Sequence, residues 1–229
     1  MRFADEIITE MKTYYKQRLP HFQPVGAIFF VTFRLFDSIP YDELTVLRYK
    51  YDELIANNVR VKNIEERKRK IIDLQQKYYE EYDDKLNAAK SGPVHLKNPI
   101  IANIVKEQLH KYDGSLYELI CYTIMSNHVH MLISTEIQVA CDFYEDLDGI
   151  KFTPLDQIMK KIKGPTAIFS NRILKRQGRF WAKESFDKLI HNERMLNEVV
   201  SYILNNPVKA KIAEDWTIYE HTYLASGWE

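Results

Sequence analysis

Residues 116–134 read LYELICYTIMSNHVHMLIS, and this stretch decides the fold class. Two runs rich in aliphatic, aromatic and β-branched residues, 116–125 and 127–134, have the length and composition of strands. Ser126-Asn127 between them is short enough for a tight bend or a bulge. Side chains on a strand alternate faces, so His128 and His130 share one side while Val129 takes the other. Met131 and Ile133 continue the Val129 side and Leu132 follows the histidines, which predicts a strand buried on both faces. Two imidazoles on one face can share a divalent cation, which would polarise a phosphodiester oxygen. The same spacing also occurs in strands that hold no metal, and three residues alone leave both readings open.

Working outward, residues 25–36, VGAIFFVTFRLF, form another strand between Pro24 and Asp37-Ser38. From Tyr41 to about Lys90 the chain is rich in Lys, Glu, Leu, Ile and Tyr and lacks Gly and Pro; Ile64, Ile71, Leu74 and Tyr78 recur at helical spacing. Two helices joined near Asn57-Asn58 are expected, their mixed charges forming a solvated face. Asn98-Pro99 starts a further helix, with Asn98 as N-cap, that runs to Tyr112 and stops at Asp113-Gly114. Residues 135–152 read as loop, 154–175 as a helix with a kink at Gly164-Pro165, and 193–205 as a helix ended by Asn206-Pro207. The segment RQGRFWAKESFDKLI holds a turn and an irregular extended stretch, and the aromatic tail EDWTIYEHTYLASGWE packs back on the core.

The bulk properties exclude more than they assign. A chain of 229 residues suits one domain with an insertion at about 41–90. Lys+Arg and Asp+Glu both number 32, so nucleic-acid affinity would have to come from a local patch. Cys121 and Cys141 are too far apart for a CxxC zinc site, and a reducing cytoplasm is the expected setting. The acidic N-terminus is unlike a signal peptide, and no apolar run is long enough to span a membrane. One local patch stands out: Lys160, Lys161, Lys163, Arg172, Lys175, Arg176 and Arg179 against the single acid Asp156, followed by Phe180 and Trp181. Cations neutralise phosphates and aromatics stack on unpaired bases, so these residues, with Trp181, are candidate DNA contacts. A core role for Trp181 and a solvated face for the lysines are the alternatives.

Residues 122–133, YTIMSNHVHMLI, resemble the VMPNHVHLL signature of the REP-associated tyrosine transposases, relatives of the single-tyrosine HUH transposases. Other blocks match in order: Arg18-Leu19-Pro20-His21-Phe22 with the strand after it, Tyr112-Asp113-Gly114 with Tyr117-Glu118-Leu119, Gly178 to Trp181 with Glu184 to Asp187, and SYILNNPVKA at 201–210 with Asp215-Trp216 following. Only the stretch at about 41–90 is outside the likeness. The resemblance implies an α+β, ferredoxin-like antiparallel sheet, with the histidines on a central strand and helices on one face. It implies a monomer or homodimer that recognises single-stranded or hairpin DNA, with Mg²⁺ or Mn²⁺ at the histidines. In active relatives a tyrosine on a helix after the histidines attacks the phosphate, forming a 5′-phosphotyrosine and freeing a 3′-hydroxyl. That tyrosine is expected on helix 154–175, where Pro165 and Thr166 stand instead, and no tyrosine lies between Tyr144 and Tyr202. Tyr202 is the nearest downstream candidate nucleophile, with helix packing as its alternative role; Tyr144 sits in the acidic stretch CDFYEDLD. Asn171 is the candidate third metal ligand beside His128 and His130, with a place on the helix surface as its alternative, and His191 a candidate phosphate contact. Without the nucleophile, the alternative is a catalytically inactive DNA-binding protein descended from such a transposase.

Overall fold

The computed structural model describes residues 14–16, 20–22, 24, 26–58, 63–139 and 152–228. Tyr144, Cys141 and most of the 135–152 stretch lie outside them. The elements are β1 (Tyr14–Lys16), β2 (Pro20–Phe22), β3 (Ile28–Arg34), α1 (Tyr41–Asn58), α2 (Ile64–Ala88), α3 (Pro99–His110), β4 (Glu118–Ile124), β5 (His128–Ser134), α4 (Leu155–Ile173), β6 (Phe186–Leu189), α5 (Glu193–Lys209) and β7 (Thr222–Leu224). Strands β1 and β2 form a separate two-stranded pair, and the main sheet is antiparallel in the order β6-β3-β5-β4-β7. From β3 to β6 the chain runs β-α-β-β-α-β, the ferredoxin-like arrangement, with α1 and α2 inserted after its first strand.

The expected strand alternation holds in β5. Val129, Met131 and Ile133 face one core, shared with Ile101, Val105 and Leu109 of α3 and Ile158 and Ile162 of α4. In β4 the alternation breaks: the register shifts between Leu119 and Cys121, so Ile120 and Cys121 both join the opposite core. That second core includes Leu132, Leu196, Ile203 and Leu204 of α5, and Tyr79 of α2. Helices therefore lie on both faces, where sequence placed them on one: α3 and α4 cover the expected side, and α5 and α2 cover the histidine side.

Local chemistry explains the boundaries. Asn98 caps α3 by accepting the Ile100 N–H at 3.0 Å, and proline follows it. Pro165 sits inside α4, and the carbonyl its missing N–H would have engaged, that of Lys161, accepts instead from Gln108 Nε2 of α3 at 2.8 Å. Pro207 likewise does not end α5, which runs on to Lys209, and its own carbonyl accepts the Ile212 N–H at 2.8 Å. The stretch read as irregular after Arg176 contains the edge strand β6, and the tail contains β7, whose Tyr223 stacks on Tyr122. Helices α1 and α2 pack on each other around Leu44, Leu47, Tyr51, Tyr82 and Leu86.

Candidate metal and nucleophile site

Strand β5 is the middle strand of the sheet, and His128 and His130 point from it into the face covered by α2 and α5. Both are fully buried. Across the strands, His128 pairs with Arg34, and His130 lies between Thr32 and Thr123. The two Nε2 atoms are 3.0 Å apart.

The surroundings orient both rings. Asn127 Nδ2 donates to the Leu86 carbonyl at 3.0 Å, which turns its Oδ1 toward His128 Nδ1 at 2.7 Å. An amide oxygen only accepts, so His128 carries its proton on Nδ1 and presents a bare Nε2 to the site. His130 Nδ1 lies 2.7 Å from Thr32 Oγ1, which is 3.1 Å from the Tyr79 hydroxyl. Tyr79 donates to the Tyr202 hydroxyl at 3.3 Å, and Tyr202 donates to Asp83 Oδ2. The other carboxylate oxygen, Asp83 Oδ1, is 3.2 Å from His130 Nε2 and 3.9 Å from His128 Nε2.

Asp83 is thus the member that sequence reasoning missed. It comes from α2, inside the stretch read as a solvated insertion, and is 2 % exposed. The signal was present: Asp83 interrupts the apolar face formed by Tyr79, Tyr82 and Leu86. Burial alone would raise its carboxyl, but His130, His128 and the Tyr202 hydroxyl outweigh that and hold it below the usual carboxylate range. Burial, and next the neighbouring His130, push His128 down to about 3, so it is neutral and able to ligate at ordinary pH.

One ligand atom each from Asp83, His128 and His130 fall within 4.8 Å of one another. Asp83 Oδ1 is buried with no hydrogen-bond partner. With a proton on His130 Nε2 the group is an ordinary Asp–His pair. With that proton on Nδ1, donated to Thr32, three lone pairs converge on one point, and only a cation satisfies them. The residues therefore fit a divalent ion, and two imidazoles with a carboxylate suit a first-row transition metal such as Mn²⁺ better than Mg²⁺. Asn206, one helical turn after Tyr202, is 1 % exposed, and its side chain lies beside the Tyr202 hydroxyl. It is a further candidate donor, signalled in sequence only by its spacing from Tyr202.

The sequence-derived residues divide sharply. His128, His130 and Tyr202 come together: the Tyr202 ring lies 5.5 Å from the His130 ring between centroids. Burial first, then the Asp83 charge and hydrogen bond, raise the Tyr202 phenol well above its usual range. Helix α4, expected to carry the nucleophile, packs on the Val129 face, opposite the histidines. Thr166 is structural, donating to the Ile162 carbonyl and accepting from Trp181 Nε1 at 2.9 Å. Asn171 is on the same helix, where its Nδ2 donates to the Gly178 carbonyl at 2.9 Å and closes the turn after α4. It does not reach the histidines.

The basic patch also fails to form one groove with the histidines. Trp181 is core rather than a stacking surface, packed edge-on against Phe33 and Phe180. Lys163 is tied to the Ala182 and Lys183 carbonyls and to Ser185 Oγ. Lys160 pairs with Asp156, and Arg176 donates to the Arg179 carbonyl beside His95. Lys161, Arg172, Lys175 and Arg179 remain exposed, as does His191. Among these, Arg179 alone lines the cavity that also contains Arg34, the cross-strand neighbour of His128.

No helix among the described residues is long and apolar enough to cross a membrane. No protein-family model and no curated protein matches the chain. Among solved structures, a REP-associated tyrosine transposase bound to a REP hairpin aligns with 90% of this chain and 82% of its own, at 11% identity and a TM-score of 0.49, too distant to bear on the chemistry.

Proposed function

We propose that this chain is a metal-dependent transposase-like protein that nicks and rejoins single-stranded or hairpin DNA, with Tyr202 as nucleophile. The observation that carries this reading is the placement of the Tyr202 hydroxyl on Asp83, the same carboxylate that faces both histidines. A phenol, a base and a cation site thereby meet on one face of the sheet, in a chain whose motifs resemble those of the tyrosine transposases. A divalent ion held by His128, His130 and Asp83, with Asn206 beside them, would supply Lewis acidity at the scissile phosphate. Tyr202 Oη attacks phosphorus and the bond to the 3′ oxygen breaks, leaving a 5′-phosphotyrosine and a 3′-hydroxyl. Asp83 Oδ2, which accepts the Tyr202 hydrogen bond, is placed to relay the phenolic proton to the departing 3′ oxygen, and a cation on that carboxylate would relieve the charge that raises Tyr202. All of these groups belong to one chain, so the chemistry requires no second copy.

The complete burial of His128 and His130 beneath Tyr79 and Asp83 favours a second reading, a DNA-binding protein whose nicking chemistry is shut off. Incubation of labelled hairpin-flanked single-stranded DNA with Mn²⁺, run on denaturing and native gels, separates the two. A covalent protein–DNA band, lost in Tyr202→Phe and His128→Ala, is the expected result. Shifted but uncut DNA would establish the binding reading, and DNA neither shifted nor cut would overturn both.

A further inference from the structure

A cavity of about 230 Å³ opens between the helical insertion and the end of β3, floored by Arg34. Arg34 is 8 % exposed, yet no carboxylate among the described residues pairs with it. Among the described residues its guanidinium meets neutral groups: the Leu35 carbonyl and Ser38 Oγ, both at 3.3 Å, and the Tyr82 hydroxyl. A guanidinium has five N–H donors, and burying one against neutral acceptors alone is costly unless an anion completes it. Its charge is felt in the pocket, where it counters the burial that pushes the Tyr82 hydroxyl up to about 12. Four cations, Arg34, Arg48, Arg179 and Lys183, line the cavity against two acids, Asp37 and Glu184. Glu184 is already held by Arg48 at 2.7 Å.

The rim is aromatic. Phe36 is 41 % exposed and Tyr41 77 % exposed, and the Arg179 guanidinium lies 5.6 Å from the Phe36 ring centroid. Buried cation, net positive lining and exposed π faces are the elements that hold an unpaired nucleotide: charge for the phosphate, a ring for the base. A cavity of this size admits one nucleotide and excludes a duplex.

We propose that this cleft binds a nucleoside phosphate, with Arg34 on the phosphate and Phe36 and Tyr41 against the base. Arg34 is the cross-strand partner of His128, so the bound phosphate would be next to the metal-site histidines. Taking single-stranded DNA as the source of that nucleotide rests on the function proposed above; a free mononucleotide offers the same chemistry.

Fluorescence anisotropy with fluorescein-labelled oligothymidylate, competed by thymidine monophosphate and by inorganic phosphate, tests this on the full chain. Titration of the monophosphate alone is followed by calorimetry. Both Arg34→Gln and the double variant Phe36→Ala/Tyr41→Ala are expected to weaken oligonucleotide binding about tenfold or more, as loss of a stacking or phosphate contact does. The monophosphate is expected to compete better than phosphate. Monophosphate binding that Arg34→Gln abolishes, with no oligonucleotide binding, would uphold the site and sink the DNA reading. An oligonucleotide bound equally by wild type and both variants would overturn the site and leave the DNA reading intact. Binding of neither ligand would overturn the site. If Arg34→Gln fails to fold by circular dichroism, the double variant decides, because its side chains are on the surface.

Discussion

Replacing Asp83 by leucine probes the site through stability, independently of DNA. In the metal-free protein the Asp83 carboxylate accepts from Tyr202 and from Asn87 Nδ2 at 2.8 Å, and faces His130 Nε2 at 3.2 Å. Leucine has similar bulk but no acceptor, so these buried partners lose their common anchor. Breaking one partner out of such a buried charged network costs about 3–5 kcal/mol, because the remaining polar groups stay buried and unpaired. For a chain of this size that corresponds to a fall in Tm of roughly 6–20 °C. The second half of the prediction concerns metal. In wild type, Mn²⁺ at about a hundred times its Kd adds about 2.7 kcal/mol by linkage, a rise of roughly 5–11 °C. In Asp83→Leu that rise disappears, since the converging set has lost its only charged oxygen. Differential scanning calorimetry with and without Mn²⁺, each run checked against chelator, measures both quantities. A variant that melts like wild type, or that keeps the full Mn²⁺ shift, would refute the assignment of Asp83 to the site.

Two further outcomes follow from the packing. Thr166→Val removes the acceptor for the buried Trp181 Nε1 and should cost about 1–3 kcal/mol in urea denaturation, while leaving any covalent DNA adduct unchanged; a lost adduct in a folded variant would return α4 to the reaction. Lys163 is pushed down to about 8, chiefly by burial and then by the Arg34 charge. Its folded pKa is thus below the usual value near 10.5, so between the two the unfolded chain binds more protons and stability rises with pH. Relative to Lys163→Met, wild type should gain about 2 kcal/mol between pH 7.5 and pH 10, and a flat difference would mean that the ammonium is well solvated.

The strand core and its chemistry were legible because they depend on local period. Alternation in 128–133 put both histidines on one face, and the caps at Asn98 and the turn at Asp113-Gly114 follow from residue type. The edge strand β6 was not legible, since its four residues, Phe186 to Leu189, are half-buried and carry no alternation of burial. For Trp181 sequence left both a core and a stacking role open, because an indole beside arginines reads the same whether its far side meets a base or Phe33.

The resemblance, rather than the residues, sent the search for the nucleophile to helix 154–175. Tyr202 belongs instead to the helix on the histidine side. Which helix crosses which face is a matter of connection and packing, and helix periodicity says only that a face is buried, never against what. The amino-acid sequence by itself therefore determined the main strands and helices and two imidazoles aimed the same way, while the antiparallel arrangement was what the resemblance implied. Only the tertiary structure decided what they meet. Asp83 lies 45 residues before His128 in sequence and Tyr202 lies 74 after it, and closing loops of that length is repaid only by the packing of whole helices on the sheet. No local rule acts over such distances.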